Sequence, residues 1–238
     1  MSIAIIIIIN IGKMINKFKT ANEAFHYFMP YIVEHGVDFD NTRALFNVGF
    51  LIEDPHWCHS ITNRNGVKRD FNLKYAKAEW QWYLTGLPNV KMLGEIYGKV
   101  PEIWKRMANE EGYVNSNYGY QWQRGGDISQ LDYVVGLLAS NPKTRQAAIS
   151  VYDAKEHVKY KYDTPCTYAI QFTILNNKLN MCVTMRSNDL WYGFCNDQYC
   201  FSMLQKLVAD KLAIPVGTYY HFAHNLHLYN NIIEKVYG

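Results

Sequence analysis

Apolar residues recur along this chain at two spacings, and the switches between them mark its elements. Thr20-Ala-Asn-Glu23 has the spacing of a capping box, and the stretch FHYFMPYIV behind it reads as an apolar helix that Pro30 is expected to kink or shorten. A strand is predicted at about 43–52. Helical spacing returns at about 71–84, where Tyr75, Ala76, Trp80 and Tyr83 fall on one face before Gly86 ends the helix. Pro101 opens a short helix through Trp104, and Asp127 is expected to cap another that ends near Ser140. The pattern then changes to period two. AAISVY, CTYAIQFTI and KLNMCVTMR read as strands, the last two joined by a hairpin at Asn176-Asn177. A long apolar helix over 195–212 is closed by Pro215; a strand TYYHFAHNL and a terminal helix follow. This order predicts an α+β fold, a single domain with antiparallel pairing and flanking helices.

Composition narrows the function without naming it. At 238 residues, 49% of them hydrophobic, the chain can bury a sizeable core without disulfides or metals. The net charge of +3 is dispersed, which suits an enzyme taking a small anion better than a nucleic-acid binder. Five cysteines, Cys58, Cys166, Cys182, Cys195 and Cys200, follow no secreted disulfide pattern, so a reducing cytoplasm is the expected home. The isoleucine run near the start is too short to span a bilayer and has no basic region before it. Residues 1–18 are set apart as an Ile-rich extension without an assigned role, and 19–238 as the single folded domain. His56, Cys58 and His59 lack a second ligand pair at zinc-site spacing. His221, His224 and His227 recur every third residue, which on a strand sends neighbours to opposite faces. No metal is expected, and no P-loop or GxGxxG motif is present.

Cys166 raises a sharper question, because it follows a proline at the head of an alternating run. A nucleophilic thiol needs partial access and a nearby positive charge. Arg186, at the end of the next strand, would supply that charge if the hairpin register brings the two together.

Several blocks in order, TPC at 164–166, Gln171, MRSND at 185–189, YGFCND at 192–197 and HLY at 227–229, resemble the signature of the thymidylate synthase superfamily. EDP at 53–55, VNSNYG at 114–119 and RSND in place of the synthases' usual RSCD are most similar to its phage deoxycytidylate hydroxymethylase branch. The resemblance implies a mixed, largely antiparallel sheet and a homodimer. It implies Cys166 as the thiolate that adds to C6 of the pyrimidine and Glu79 as the carboxyl that manages protons near the base. Arg186 and Ser187 are implied at the nucleotide phosphate, with Arg145 lent across the dimer interface to the partner's phosphate. Gln146 stands where the synthases have a second arginine, and Arg43 is a further candidate contact. His227 and Tyr229 would bond the deoxyribose 3'-hydroxyl, with Asn188 and Tyr118 beside the nucleotide. Trp104, Asp189 and Glu79 would face the folate.

The cosubstrate so implied is 5,10-methylenetetrahydrofolate, with dCMP as the nucleotide and no direct contact to nucleic acid or membrane. Thiolate addition at C6 makes C5 nucleophilic and so divides one hard step into two easier ones. Water then completes a hydroxymethyl group, or folate hydride a methyl group. Met107 replaces a second tryptophan of the synthases. Asp197 stands where the synthases read the base with Asn, and its carboxyl can accept from the cytosine amino group and, when protonated, donate to N3. As a simple alternative, Asp197 would cap the helix that follows.

Overall fold

The computed structural model describes residues 16–55, 61–62, 68–69 and 71–238. Strand β1 (Asn16–Phe18) leads into helix α1 (Ala21–His35), then strands β2 (Val37–Phe39), β3 (Thr42–Ile52), β4 (Ile61–Thr62) and β5 (Lys68–Arg69). Four helices follow, α2 (Leu73–Thr85), α3 (Val90–Tyr97), α4 (Glu102–Met107) and α5 (Tyr118–Gln123), and then α6 (Gln130–Ser140). The second half holds β6 (Ala148–Ser150), β7 (Thr167–Leu175), β8 (Lys178–Met185), β9 (Asn188–Asp189), α7 (Gly193–Lys211), β10 (Val216–Tyr229) and α8 (Asn230–Tyr237).

Local chemistry accounts for most boundaries. Thr20 Oγ1 accepts from Glu23 N at 3.3 Å, while the Glu23 carboxylate reaches one residue further back than a capping box requires, to Lys19 N at 2.7 Å. Pro30 does not shorten α1, contrary to expectation: the helix continues to His35 because Phe25, Phe28, Met29 and Ile32 bury one face of it. Asp127 is likewise not the cap of α6. Ser129 takes that place, accepting from Asp132 N at 3.0 Å and donating to Asp132 Oδ2 at 2.9 Å. Gly86 ends α2 with φ 64°, a left-handed turn that glycine adopts without steric cost.

Among the described residues an eight-stranded mixed sheet runs β1-β3-β10-β8-β7-β6, with β2 beside β3 and β9 beside β10. The pairs β3/β10, β8/β7, β7/β6 and β2/β3 are antiparallel, and β10 runs parallel to β8. A parallel pair needs a crossover, and α7 provides it. On one face Phe50, Ile52, Ile170, Phe172, Met181, Val183, Tyr219 and Ala223 are buried. Alternate positions such as Leu51, Gln171, Cys182, Tyr220 and Phe222 are only partly covered. Helices α1 and α7 pack on the sheet, and α2 lies against α7, α3 and α5.

The β7–β8 hairpin positions the site. Asn176 and Asn177 have φ of 51° and 56°, the two positive values of a type I′ turn. The register then pairs Leu175 with Lys178 at the turn and Thr167 with Met185 at the open end. Cys166 and Arg186 therefore leave the sheet side by side.

Candidate active site

Backbone bonds fix the segment that carries Cys166. Arg186 N donates to Cys166 O at 2.7 Å, and the Arg186 guanidinium bonds the carbonyls of Pro165 at 3.1 Å and Thr164 at 2.8 Å. Tyr152 Oη donates to Pro165 O at 2.8 Å. On the other side Asp163 is buried and accepts from Ser116 N and Ser116 Oγ, both at 2.6 Å, while Asn115 Nδ2 donates to Asp163 O at 2.7 Å. The VNSNYG block thus anchors the loop before Cys166, and its Asn117 caps α5 by accepting from Tyr120 N.

Cys166 is partly accessible, yet burial pushes its thiol up to about 11. Arg186 opposes that rise, as the sequence leads one to expect, but does not overcome it, and Asp197, Asp163 and Asp189 add to it. The resting thiol is protonated at neutral pH.

Two carboxyls lie deeper, Glu79 buried and Asp197 half-buried. Glu79, from α2, accepts from Tyr75 Oη at 2.6 Å, and desolvation raises it to about 7. Trp104 Nε1 donates to the same tyrosine oxygen at 2.7 Å, so Trp104 reaches Glu79 through Tyr75. Asp197 is the fifth residue of α7, whose N-cap is Tyr192, and it does not cap that helix. Its Oδ2 accepts from Asn188 Nδ2 at 2.8 Å, and burial, reinforced by Glu79, raises it to about 8. Asp189 instead shapes the turn that enters the helix, accepting from Trp191 N at 2.9 Å and Tyr192 N at 3.0 Å. Burial lifts Asp189 to about 6 against those bonds. Asn188 Oδ1 is a buried acceptor with no partner among the described residues. Tyr118 is buried at the start of α5 between the rings of Tyr83 and Phe201 and is raised by burial and then by Cys166 and Asp197.

At the C-terminal end of the interior strand β10 stand His227 and Tyr229, their rings perpendicular at 5.3 Å. His227 Nδ1 lies 2.9 Å from Asn225 Oδ1, and burial lowers its pKa. An amide oxygen can only accept, so Nδ1 carries the proton and Nε2 is left as an acceptor. Ser187 is half-buried between Arg186 and Asn188.

Other candidates fall elsewhere. Arg43 lies opposite Leu228, one register position from His227 and so on the other face, and it pairs with Asp38 at 3.2 Å. Arg145 and Gln146 are exposed at the far end of β7 from Cys166: Ala148 pairs with Gln171, and Arg145 lines a hollow with Thr173 and Leu175. That is roughly 25 Å along the strand, so the chain does not bring Arg145 to its own Cys166. His221 is buried against Tyr219 Oη, whereas His224 is exposed and bonded to Asn47, so the three histidines share no site. His56, Cys58 and His59 lie outside the described residues. Among the described residues no group of three or more acidic, histidine or cysteine side chains could hold a metal, and no helix is long and apolar enough to cross a membrane.

Sequence reasoning overlooked Tyr75, Tyr152, Asp163, Asn225 and Arg69. Arg69 donates to Tyr192 O at 3.4 Å, lies 5.9 Å from the Trp191 ring and lowers Asp189. Only Asp163 left a sequence signal, an acid immediately before TPC.

Cys166, Arg186, Glu79 and Asp197 thus sit in one polar cluster at the end of a mixed sheet. The sequence model of the thymidylate synthase family matches residues 25–238, and the chain belongs to that family. Its enzymes modify C5 of pyrimidine nucleotides with a folate. A thymidylate synthase of Francisella philomiragia subsp. philomiragia is 33% identical over 172 residues, covering 66% of this chain and 62% of its own. The deoxycytidylate 5-hydroxymethyltransferase of Enterobacteria phage T4 is 35% identical over 147 residues, 59% of this chain and 56% of its own. The chain therefore spans less than two thirds of the length of either relative. A solved thermostable thymidylate synthase A from Bacillus subtilis shares the fold, with a TM-score of 0.75 over 90% of this chain and 81% of its own at 21% identity.

Proposed function

We propose that this site is that of a deoxycytidylate 5-hydroxymethyltransferase. The observation that carries the reading is Asp197, a half-buried carboxyl held by the buried Asn188 and protonated near neutral pH, where uracil-specific relatives are expected to present an amide. A protonated carboxyl offers the cytosine ring both an acceptor for its amino group and a donor for N3. Asn188 Oδ1, without a partner among the described residues, adds a second buried acceptor on the residue that holds Asp197.

Cys166 attacks C6, after losing the proton that burial holds on it in the resting chain. Glu79 holds and moves a proton near the base, for which a pKa near 7 is well matched. Arg186 and Ser187 bind the phosphate, and the Nε2 acceptor of His227, with Tyr229, takes the sugar 3'-hydroxyl. Tyr118 lies beside the base. Half-buried Trp104, next to Trp82 and followed by Met107, offers an aromatic and apolar wall that fits a folate ring system, and Asp189 is assigned a further contact to the folate. Bound there, 5,10-methylenetetrahydrofolate supplies the one-carbon unit. The partner's phosphate is bound by Arg145 across a homodimer, which accords with its exposed position far from its own chain's Cys166.

A second reading, C5 methylation of dCMP or dUMP, is supported by the comparable identity to a thymidylate synthase, 33% against 35%. Incubating the protein with dCMP, dUMP or CMP and methylenetetrahydrofolate and weighing the products separates the two. The expected product is hydroxymethyl-dCMP with tetrahydrofolate left over. A methylated base accompanied by dihydrofolate would overturn the first reading in favour of the second.

A further inference from the structure

Glu79 is braced on both oxygens by two side chains that no role assigned above requires. Trp104 Nε1 can only donate, and it does so to Tyr75 Oη at 2.7 Å. The one proton of the Tyr75 hydroxyl is therefore directed to Glu79 Oε1, 2.6 Å away. On the other side Cys200 Sγ stands 3.8 Å from Glu79 Oε2 and 3.9 Å from Ala76 O. Glu79, Ala76 and Cys200 are all buried, so these groups have no water to turn to.

We propose that Tyr75 and Cys200 are positioning residues that let Glu79 change its protonation state without moving. When Glu79 is ionised, Tyr75 donates to Oε1 and the Cys200 thiol donates to Oε2. When Glu79 takes up a proton, Oε1 still receives the Tyr75 hydroxyl, so the acid proton sits on Oε2. The thiol then turns its own proton to Ala76 O and leaves sulfur facing Oε2 as an acceptor. Both states are satisfied by one bond rotation at sulfur, and no heavy atom is displaced.

The other titratable groups facing this carboxyl are Tyr83 on α2, Asp197 on α7 and, beyond Tyr83, Tyr118 on α5. Each is raised by burial and so is neutral at pH 7, which leaves Tyr75 first, then Cys200 and then Trp104 as the donors that favour the ionised carboxyl. The proposal rests on the reading of Glu79 as the proton-handling carboxyl.

The test follows the Glu79 carboxyl directly, by carbon-13 NMR of glutamate-labelled protein titrated from pH 5 to 9. Both donors favour the ionised form, so removing one raises the titration midpoint. Tyr75→Phe is expected to raise it by about one pH unit. Cys200→Ala gives a smaller rise in the same direction, and Cys200→Ser, which keeps a donor, restores the parent value. The acid limb of the kcat profile should shift by the same amount in each variant. Unmoved midpoints in folded Tyr75→Phe and Cys200→Ala proteins would overturn the proposal directly. Full activity in Glu79→Gln would instead remove the reading beneath it, whatever the NMR titration shows.

Discussion

Asp197 illustrates what a single carboxyl does when the fold strips away most of its water. With an ordinary value of 3.8 and a folded value of about 8, it keeps a proton in the folded chain that it releases in the unfolded one across the whole interval between. A raised carboxyl pKa contributes stability that is complete below pH 4 and is lost as the pH rises towards 8, because there the folded state binds more protons than the unfolded. Asp197→Asn removes that dependence. The variant should therefore gain stability relative to the parent steadily from pH 5 to pH 8, measured as urea midpoints at fixed ionic strength. An offset that does not change with pH would mean that Asp197 is ionised in the folded chain. The same substitution bears on base choice, since an amide offers one fixed acceptor and one fixed donor that match O4 and N3 of uracil. A mismatched buried pair costs on the order of 1–3 kcal/mol, so the ratio of kcat/KM for dCMP over dUMP should fall roughly ten- to a hundredfold. An unchanged ratio would leave base specificity to other groups.

At the scale of elements, close approach of helices decides where Tyr118 stands. A Cβ on Gly119 would collide with the Tyr83 carbonyl of α2, so α5 can lie where it does only with glycine there. Gly119→Ala should destabilise the protein by about 1–3 kcal/mol through overpacking and displace Tyr118, lowering activity more than thermal stability alone explains. A denaturant curve equal to the parent's would show that α5 shifts without cost. Elements of this kind were legible in the sequence where the signal is local. The Asn176-Asn177 turn, with strands of period two on each side, sets the register that joins Cys166 to Arg186. Misread features were those in which a nearby competitor prevails, as Ser129 does over Asp127, or in which tertiary burial outweighs propensity, as it does at Pro30. Cys200 was not legible as a partner of Glu79, because it meets the carboxyl only when α7 packs on α2, whereas Tyr75, four residues before Glu79 on the same helix, stands at a spacing that does bring side chains together. Cys166 was legible as a thiol at a strand end, but its protonation depends on burial and on three acids, two of which, Asp189 and Asp197, are distant in sequence.

At the scale of the whole molecule, one sheet face remains only partly covered, with Leu51, Cys182, Tyr220 and Phe222 on it, and Arg145 is exposed beyond the hairpin end of the same sheet. A second copy packed face to face would bury those side chains and carry Arg145 towards the other chain's Arg186, which its own chain holds roughly 25 Å away along the strand. The proposed homodimer therefore makes a prediction that no single-chain arrangement shares. Arg145→Ala and Cys166→Ala proteins should each be weakly active or inactive alone. Mixed after partial unfolding and refolding together, they form heterodimers in which one site has lost both groups while the other keeps its thiol from one chain and its arginine from the other. Random pairing makes half of the dimers mixed, and one site in each is intact, so about a quarter of the parent's specific activity should return. Native mass spectrometry of the same mixture verifies that the mixed dimers formed. Activity that stays at the level of the separate variants, with mixed dimers present, would place Arg145 in its own chain's site or outside catalysis altogether.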